Sequence, residues 1–343
     1  MKRFVIVFVL NAVVAALIVP FASAATNDPF FTRQWALSRI KAEPAWAAST
    51  GANVTIAVID TGVDLRHEDL AANVVPGTTI FKCKKTSCAG GQDDHGHGSH
   101  VAGIAAAVKG NGKGVAGVAP SAKIMPVKVL DSNGEGTTDD VAAGIRYAVD
   151  RGAKVVNLSL GVISGVGTVA KIIGELDSVY SAIDYAWAKG AVIVIAAGND
   201  TFPLCAEPAA HPRAICVGAT DNNDLIAAYS NSGDIDVTAP GGFGSVFCED
   251  YARDVVSTIW PGSSLDCRGS GSVTGYDTLA GTSMATPHVS GVVALIRSKN
   301  PTWSNQQVVN KLYASVDDLG LPGADPVYGR GRVNACKAVS TLC

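Results

Sequence analysis

"VTIAVID", residues Val54 to Asp60, is an unbroken apolar run that ends on an acid. Its shortness and β-branched content read as a strand covered on both faces, the kind found inside a parallel sheet. The pattern returns in "AKIMPVKVL" (Ala122 to Leu130), "AKVVNLSL" (Ala153 to Leu160), "AVIVIAAGN" (Ala191 to Asn199) and "AICVGAT" (Ala214 to Thr220). Helical patterns lie between these runs. "TTDDVAAGIRYAVDRG" has Thr137 or Thr138 as N-cap, acids in its first turn and Gly152 as its stop, and "SVYSAIDYAWAKG" ends at Gly190. The alternation predicts an α/β fold, a single domain with a mostly parallel sheet and helices on both faces. Sites in such sheets gather at the carboxyl ends of strands, and Asp60 and Asn199 close theirs. The Gly-rich stretch Asp234 to Gly275 is expected to form surface loops and hairpins.

Composition narrows the class. The 343 residues are 48% hydrophobic and 17% charged, with a net charge of −3, which favours a compact globular body and argues against a nucleic-acid partner. The N-terminus differs in kind: Lys2 and Arg3 precede an apolar run from Phe4 to Val19, and Ala22-Ser23-Ala24 has the small-x-small pattern of a cleavage site. Residues 1–24 are therefore expected to be a secretory signal peptide and residues 25–343 one domain. The alternative, a retained anchor, is disfavoured because the run falls short of a full membrane span. No later segment is apolar enough to cross a membrane, so no membrane partner is expected after cleavage and the product is secreted, extracellular or periplasmic. Eight cysteines in an exported chain point to disulfides. Loop shortness alone favours Cys83 with Cys88, Cys205 with Cys216, Cys248 with Cys267 and Cys336 with Cys343, among the many connectivities open to eight cysteines.

"LAGTSMATPHVSGVVALI", Leu279 to Ile296, places Ser283 where a Gly-Thr lead-in meets a helical apolar run. Such a serine is either an N-cap or a nucleophile at a helix start. A serine hydroxyl needs a positioned base, usually histidine, and that base needs an orienting acid. The order Ser, acid, His fails, because only Met284, Ala285, Thr286 and Pro287 separate Ser283 from the last histidine, His288. Acid and base must lie upstream. Asp60 ends a strand so apolar that a bare carboxylate there needs a partner, and "DDHGHGSHVAGIAAAV" offers histidines at the mouth of an Ala-rich helix.

Asp, His, Ser is the chain order of subtilisin. "AVIDTGVD", "HGHGSHVAGIAA", "VVNLSLG", "VIVIAAGND" and "GTSMATPHVSG" together resemble the successive signature blocks of the subtilases, the subtilisin-like serine peptidases. "NDPFFTRQWALSRIKAEPAW" is similar to the N-terminal segment of thermitase-type members, and the likeness runs from about residue 27 to "GRGRVNA". The resemblance implies a secreted serine endopeptidase of subtilisin-like fold. It implies Ser283 as nucleophile, His97 as general base and then acid, Asp60 as the orienting acid, and Asn199 as oxyanion donor beside the Ser283 N–H. An extended polypeptide substrate would pair with two backbone edges, Ser159-Leu160-Gly161 and Gly134-Glu135-Gly136. For the second edge, ordinary turn glycines are the competing reading. The pocket for the residue before the cleaved bond would lie near Gly198 and Ala206 to Ala210. There Cys205, Ala206 and Glu207 depart from the common family pattern, and Glu207 would favour a basic residue if it faced the pocket floor.

The thermitase-like match also implies a structural Ca²⁺ held by Asp28, Asp69 and the Asn111 side chain, with the carbonyls of Val108, Lys113 and Val115 around "VKGNGKGV". The competing metal reading takes "HGHGSH" as a dizinc-like H-x-H-x-x-H cluster, but that motif normally carries an acid where Ser99 stands, and it leaves "AAGND" and "GTSMA" without a role. His95, His100, His288, His67 and His211 are expected to be structural. A non-catalytic binding protein on the same fold would usually have lost a catalytic residue, and all four are present. Secreted subtilases generally carry a propeptide, and only a few residues separate Ala24 from "NDPFF". Folding is therefore expected either unaided, with calcium and disulfides helping, or through a separate foldase. A secreted inhibitor is a further partner to consider, and a monomer is the default.

Overall fold

The computed structural model describes residues 26–80, 90–161, 169–244, 252–263, 265 and 275–343. Two short helices, α1 (Trp35–Arg39) and α2 (Ala42–Ala45), precede the sheet. The chain then alternates β1 (Thr55–Asp60), β2 (Thr78–Thr79), α3 (His97–Ala106), β3 (Lys123–Lys128), α4 (Thr138–Asp150), β4 (Val155–Leu158), α5 (Val169–Ala188), β5 (Val192–Ala196), β6 (Ala214–Thr220) and β7 (Val237–Pro240). An antiparallel pair, β8 (Val255–Thr258) and β9 (Tyr276–Leu279), leads into α6 (Thr282–Lys299), α7 (Asn305–Tyr313) and α8 (Ala335–Val339).

The seven-stranded sheet has the order β2-β3-β1-β4-β5-β6-β7, and every pairing in it is parallel. Alternate residues face opposite layers. Ile56 and Val58 pack in the layer of α3 and α6, while Ala57 and Ile59 pack in the layer of α4 and α5. Helices on both faces explain why the strands read as continuous apolar runs rather than alternating ones. The described part of the Gly-rich stretch departs from the expected surface loops. Val237–Pro240 is not a surface loop but a strand of the parallel sheet, its Val237 paired with Val217, and β8 is buried as well. Thr137 is the N-cap of α4, its hydroxyl accepting from the Asp140 N–H.

α6 is buried on every side. From Thr282 to Arg297 only Ser283 is not buried, so this helix runs through the core as a pillar with one accessible residue near its start. The chain order reverses at β1, which has β3 on one side and β4 on the other, so the carboxyl end of β1 is the place where such a sheet opens a crevice. Asp60 is the last residue of that strand. Asn199 lies three residues past the end of β5, on the loop the strand feeds.

Cys205–Cys216 and Cys336–Cys343 are disulfides, with Cα atoms 6.5 and 5.8 Å apart. Cys83, Cys88, Cys248 and Cys267 lie outside the described residues. Among the described residues no helix is long and apolar enough to cross a membrane. Residues 1–24 are outside the description.

Candidate active site

Asp60 is fully buried at the end of β1, and its Oδ1 accepts from the Thr61 N–H at 2.7 Å and from His97 Nδ1 at 2.8 Å. That bond leaves Nε2 of the His97 ring as the nitrogen able to take a proton. Burial draws the His97 imidazole down. The Asp60 carboxylate, by charge and by hydrogen bond, outweighs this with help from Asp93, so the net displacement is above the ordinary imidazole value. The His97 side chain remains 19% exposed at the carboxyl end of the sheet, open to a substrate.

Asp93 is the residue here that sequence reasoning missed. It is buried, and its Oδ1 accepts from Thr61 Oγ1, His95 N and Gly96 N, each at 3.0 Å. Its Oδ2 accepts from Ser99 N at 3.0 Å and Ser99 Oγ at 2.6 Å. A carboxylate at the start of α3 satisfies free N–H groups and complements the helix dipole, so it fixes the turn that carries His97. Lys128, fully buried on β3, ties the same region by donating to Thr61 O at 2.6 Å and to Asp94 Oδ1 and Leu130 O at 2.7 Å. The two adjacent acids in "DDHGHGSH" were the available signal, but nothing local told which would turn inward.

Ser283 is the second residue of α6, and its hydroxyl donates to the Ser159 carbonyl at 3.2 Å. Ser159 follows β4, whose Val58↔Asn157 register brings Ser159 level with Asp60 on the neighbouring strand. Gly281, just before the helix, has φ +147°, and a Cβ there would lie 3.4 Å from Asn199 Nδ2. A side chain at this position would crowd the space in front of the Ser283 N–H. Asn199 is oriented by Thr282, whose N–H and hydroxyl both donate to Asn199 Oδ1 at 2.9 Å. The Asn199 carboxamide therefore presents its NH₂ end, the donor an oxyanion requires. Thr282 in turn accepts from Gly198 N at 3.3 Å.

The remaining histidines find separate partners rather than a common centre. His100 Nε2 lies 3.2 Å from the Asp277 carbonyl, and burial pushes its pKa down to about 3. His288 Nδ1 is 2.8 Å from the Met284 carbonyl, and burial pushes it down to about 4. His67 Nε2 is 2.7 Å from the Gly275 carbonyl, and His211 sits beside Asp184 at 3.6 Å. His95 stands beside His97, ring centroids 6.4 Å apart, and is drawn down by burial and by the His97 charge. In "HGHGSH" His97 thus turns to Asp60 and His100 to the far carbonyl of Asp277, which is not how ligands of one metal point.

Beyond Ser159 the chain surfaces at Leu160 and Gly161. A Cβ on Gly161 would meet the Ala206 Cβ and the Glu207 carbonyl oxygen at 4.0 Å, and one on Gly198 would meet Ala206 at 3.0 Å. These residues lie close around one space, and Gly198 is bonded to Thr282, the residue before Ser283. Glu207 offers this space its carbonyl oxygen. Its side chain reaches Tyr180 on α5, whose phenol it raises, after burial, by accepting its hydrogen bond. A basic preference through Glu207 is therefore not supported. Gly134 and Glu135 donate their N–H groups to Asp131, at 3.1 Å each, in the manner of an ordinary turn, and the His95 ring lies against Gly134.

Asp28 and Asp69, both buried, are brought together by the Gly110–Gly114 loop. Asp28 accepts from Gly110 N and Asn111 N, and Asp69 from Val115 N at 2.8 Å and Asn111 Nδ2 at 2.7 Å. Asn111 thus turns its nitrogen to Asp69 and its oxygen to the Lys113 N–H, while Val108 donates its N–H to the Asp69 carbonyl. Burial pushes Asp69 up, and the like charge of Asp28 adds to this. Two buried carboxylates in mutual repulsion, with an amide whose oxygen faces them when the group is turned over, form an all-oxygen donor set that fits a hard divalent cation.

The chain is similar to known proteins over most of its length. Residues 51–331 match the profile described as the Subtilase family. Thermitase of Thermoactinomyces vulgaris is 40% identical over 317 residues, covering 91% of this chain and 98% of that one. Subtilisin Savinase of Lederbergia lenta is 38% identical over 303 residues, covering 88% and 96%. A solved protease structure from Pseudoalteromonas arctica PAMC 21717 superposes with a TM-score of 0.78 at 34% identity, covering 92% of this chain and 98% of that one.

Proposed function

The chain belongs to the subtilase family and is a serine endopeptidase, and on that premise we propose that Ser283 is its nucleophile, His97 its general base and acid, Asp60 the orienting acid and Asn199 an oxyanion donor. The observation that carries the assignment is the 2.8 Å bond from His97 Nδ1 to buried Asp60, at the end of the strand next to β4, after which Ser159 accepts the Ser283 hydroxyl. His97 Nε2 takes the Ser283 proton as Oγ attacks the scissile carbonyl carbon. The resulting oxyanion is met by Asn199 Nδ2 and the Ser283 N–H at the start of α6. His97 then passes its proton to the leaving amine, and water, activated by the same imidazole, releases the acyl group from Ser283. The peptide lies extended between Ser159-Leu160-Gly161 and Gly134-Glu135-Gly136, and the side chain before the cleaved bond enters the space bounded by Gly161, Gly198 and Ala206.

Asp28, Asp69 and Asn111, with carbonyls of Val108, Lys113 and Val115, would hold a structural Ca²⁺, which would relieve the repulsion between the two carboxylates and pin the N-terminal segment. Residues 1–24 act as a secretory signal, and residues 25–343 form the secreted, monomeric catalytic domain. Folding proceeds with calcium and disulfides or with a separate foldase. Recovery of full activity on refolding in calcium and an oxidising buffer, with no other protein, would remove the foldase.

The test is a fluorophosphonate probe applied to the purified mature protein at fixed calcium, with peptide mass mapping and casein cleavage measured before and after. An adduct on Ser283 with casein hydrolysis abolished is expected. Casein hydrolysis that survives labelling would refute the assignment.

A further inference from the structure

Asn157 stands in the middle of the apolar strand β4 and is fully buried, a position at which a carboxamide costs stability unless its polar atoms are paired. Its partners form a directed chain. Ser290 Oγ on α6 donates to Asn157 Oδ1 at 2.8 Å, and Asn157 Nδ2 donates to Ser159 Oγ at 3.0 Å. Ser159 Oγ then donates to the carbonyl oxygen of Ser283 at 2.8 Å.

That carbonyl is free to accept because of Pro287. In a helix the carbonyl of residue 283 would receive the N–H of residue 287, and proline has none. Pro287 lies inside α6 and leaves the Ser283 carbonyl without its helical donor, and the Ser159 hydroxyl takes that place. Ser283, Pro287 and Ser290 recur at helical spacing on the face of α6 turned towards β4. The main chain of Ser283 is thus bonded sideways to the sheet rather than along its own helix.

We propose that Asn157 is a positioning residue for the reaction, holding the Ser159 hydroxyl so that it fixes the Ser283 main chain against the strand that carries the substrate edge. The inference rests on the assignment of Ser283 as nucleophile. The same Ser159 also receives the Ser283 hydroxyl at its carbonyl, so a shift of this residue moves both the nucleophile's backbone and its resting partner.

The experiment compares wild-type protein with Asn157→Ala, Pro287→Ala and the double variant. It reads the rate of fluorophosphonate labelling at Ser283, kcat and KM on one peptide substrate, and Tm. Asn157→Ala is expected to slow labelling and kcat roughly tenfold, with KM moved far less, as displacement of a reacting group does. Pro287→Ala supplies an N–H to the Ser283 carbonyl, so the double variant is expected to regain part of the loss. Wild-type labelling in Asn157→Ala with only a lower Tm would make the residue a structural filler and overturn the proposal. An impaired Asn157→Ala that Pro287→Ala does not improve would overturn the route through the Ser283 carbonyl. Should Asn157→Ala fail to fold, Ser290→Ala removes only the buried end of the chain, and unchanged labelling there would also overturn it. If the wild-type adduct maps to a residue other than Ser283, the nucleophile assignment itself fails. An adduct on Ser283 at equal rates in all variants sinks this inference alone.

Discussion

Thr282→Val tests how the oxyanion donor is aimed. Asn199 Oδ1 accepts from both the Thr282 N–H and the Thr282 hydroxyl at 2.9 Å, so valine removes one of two bonds that turn the NH₂ group towards the reacting carbonyl. The backbone bond survives, and one neutral hydrogen bond is worth about 1 kcal/mol, which predicts roughly a fivefold fall in kcat with KM little changed. Asn199→Ala deletes the donor itself and should cost about 3 kcal/mol, of the order of a hundred- to thousandfold in kcat. Because Thr282 is argued to act through Asn199, the two effects cannot add. In the Asn199→Ala background, Thr282→Val should cost less than about twofold. Steady-state kinetics on one peptide substrate for the four proteins of this cycle supply the answer. A full fivefold loss from Thr282→Val in the absence of the Asn199 side chain would refute the reasoning and give the threonine hydroxyl a role of its own.

Other outcomes follow from the same geometry. His97 must be neutral to accept a proton, and Asp60 holds its pKa above the ordinary imidazole value, so kcat/KM should fall with decreasing pH at a point above that value. Asp60→Asn should lower kcat about ten-thousandfold, and a loss of less than about tenfold would contradict the orienting role. His100 and His288, held neutral by burial down to about 3 and about 4, have folded pKa values below their unfolded ones. Their contribution to stability is therefore complete above the ordinary imidazole pKa and is lost as pH falls towards 4, and His288→Leu should flatten that loss in urea titrations across the window. Chelation should lower Tm by several degrees, with calcium restoring it and Asp69→Asn abolishing the response. A melting temperature indifferent to chelator would remove the cation from this account.

The strands were legible because a buried parallel strand is apolar along its whole length, and a run such as "VTIAVID" announces itself locally. Asp60, His97, Asn199 and Ser283 were marked as candidates by the resemblance of their short contexts to subtilase signature blocks. Val237–Pro240 was not legible, since a short strand between glycine-rich loops has too little apolar pattern to register. The direction of the Glu207 side chain was equally hidden, because it depends on Tyr180 from another helix.

What only the tertiary structure decided is how these groups are aimed. In sequence Asn157 is one residue of an apolar run and Pro287 one residue of a helical run, and neither carries a local sign of its partner. Their partners lie far along the chain, 133 residues away for Ser290 to Asn157 and 124 for Ser159 to Ser283. Local pattern reports the period of an element and the chemistry of a motif, since both are set by neighbours in sequence. Which buried donor meets which acceptor is set by the register of the β4 edge against α6, and that register exists only once the core has closed around both.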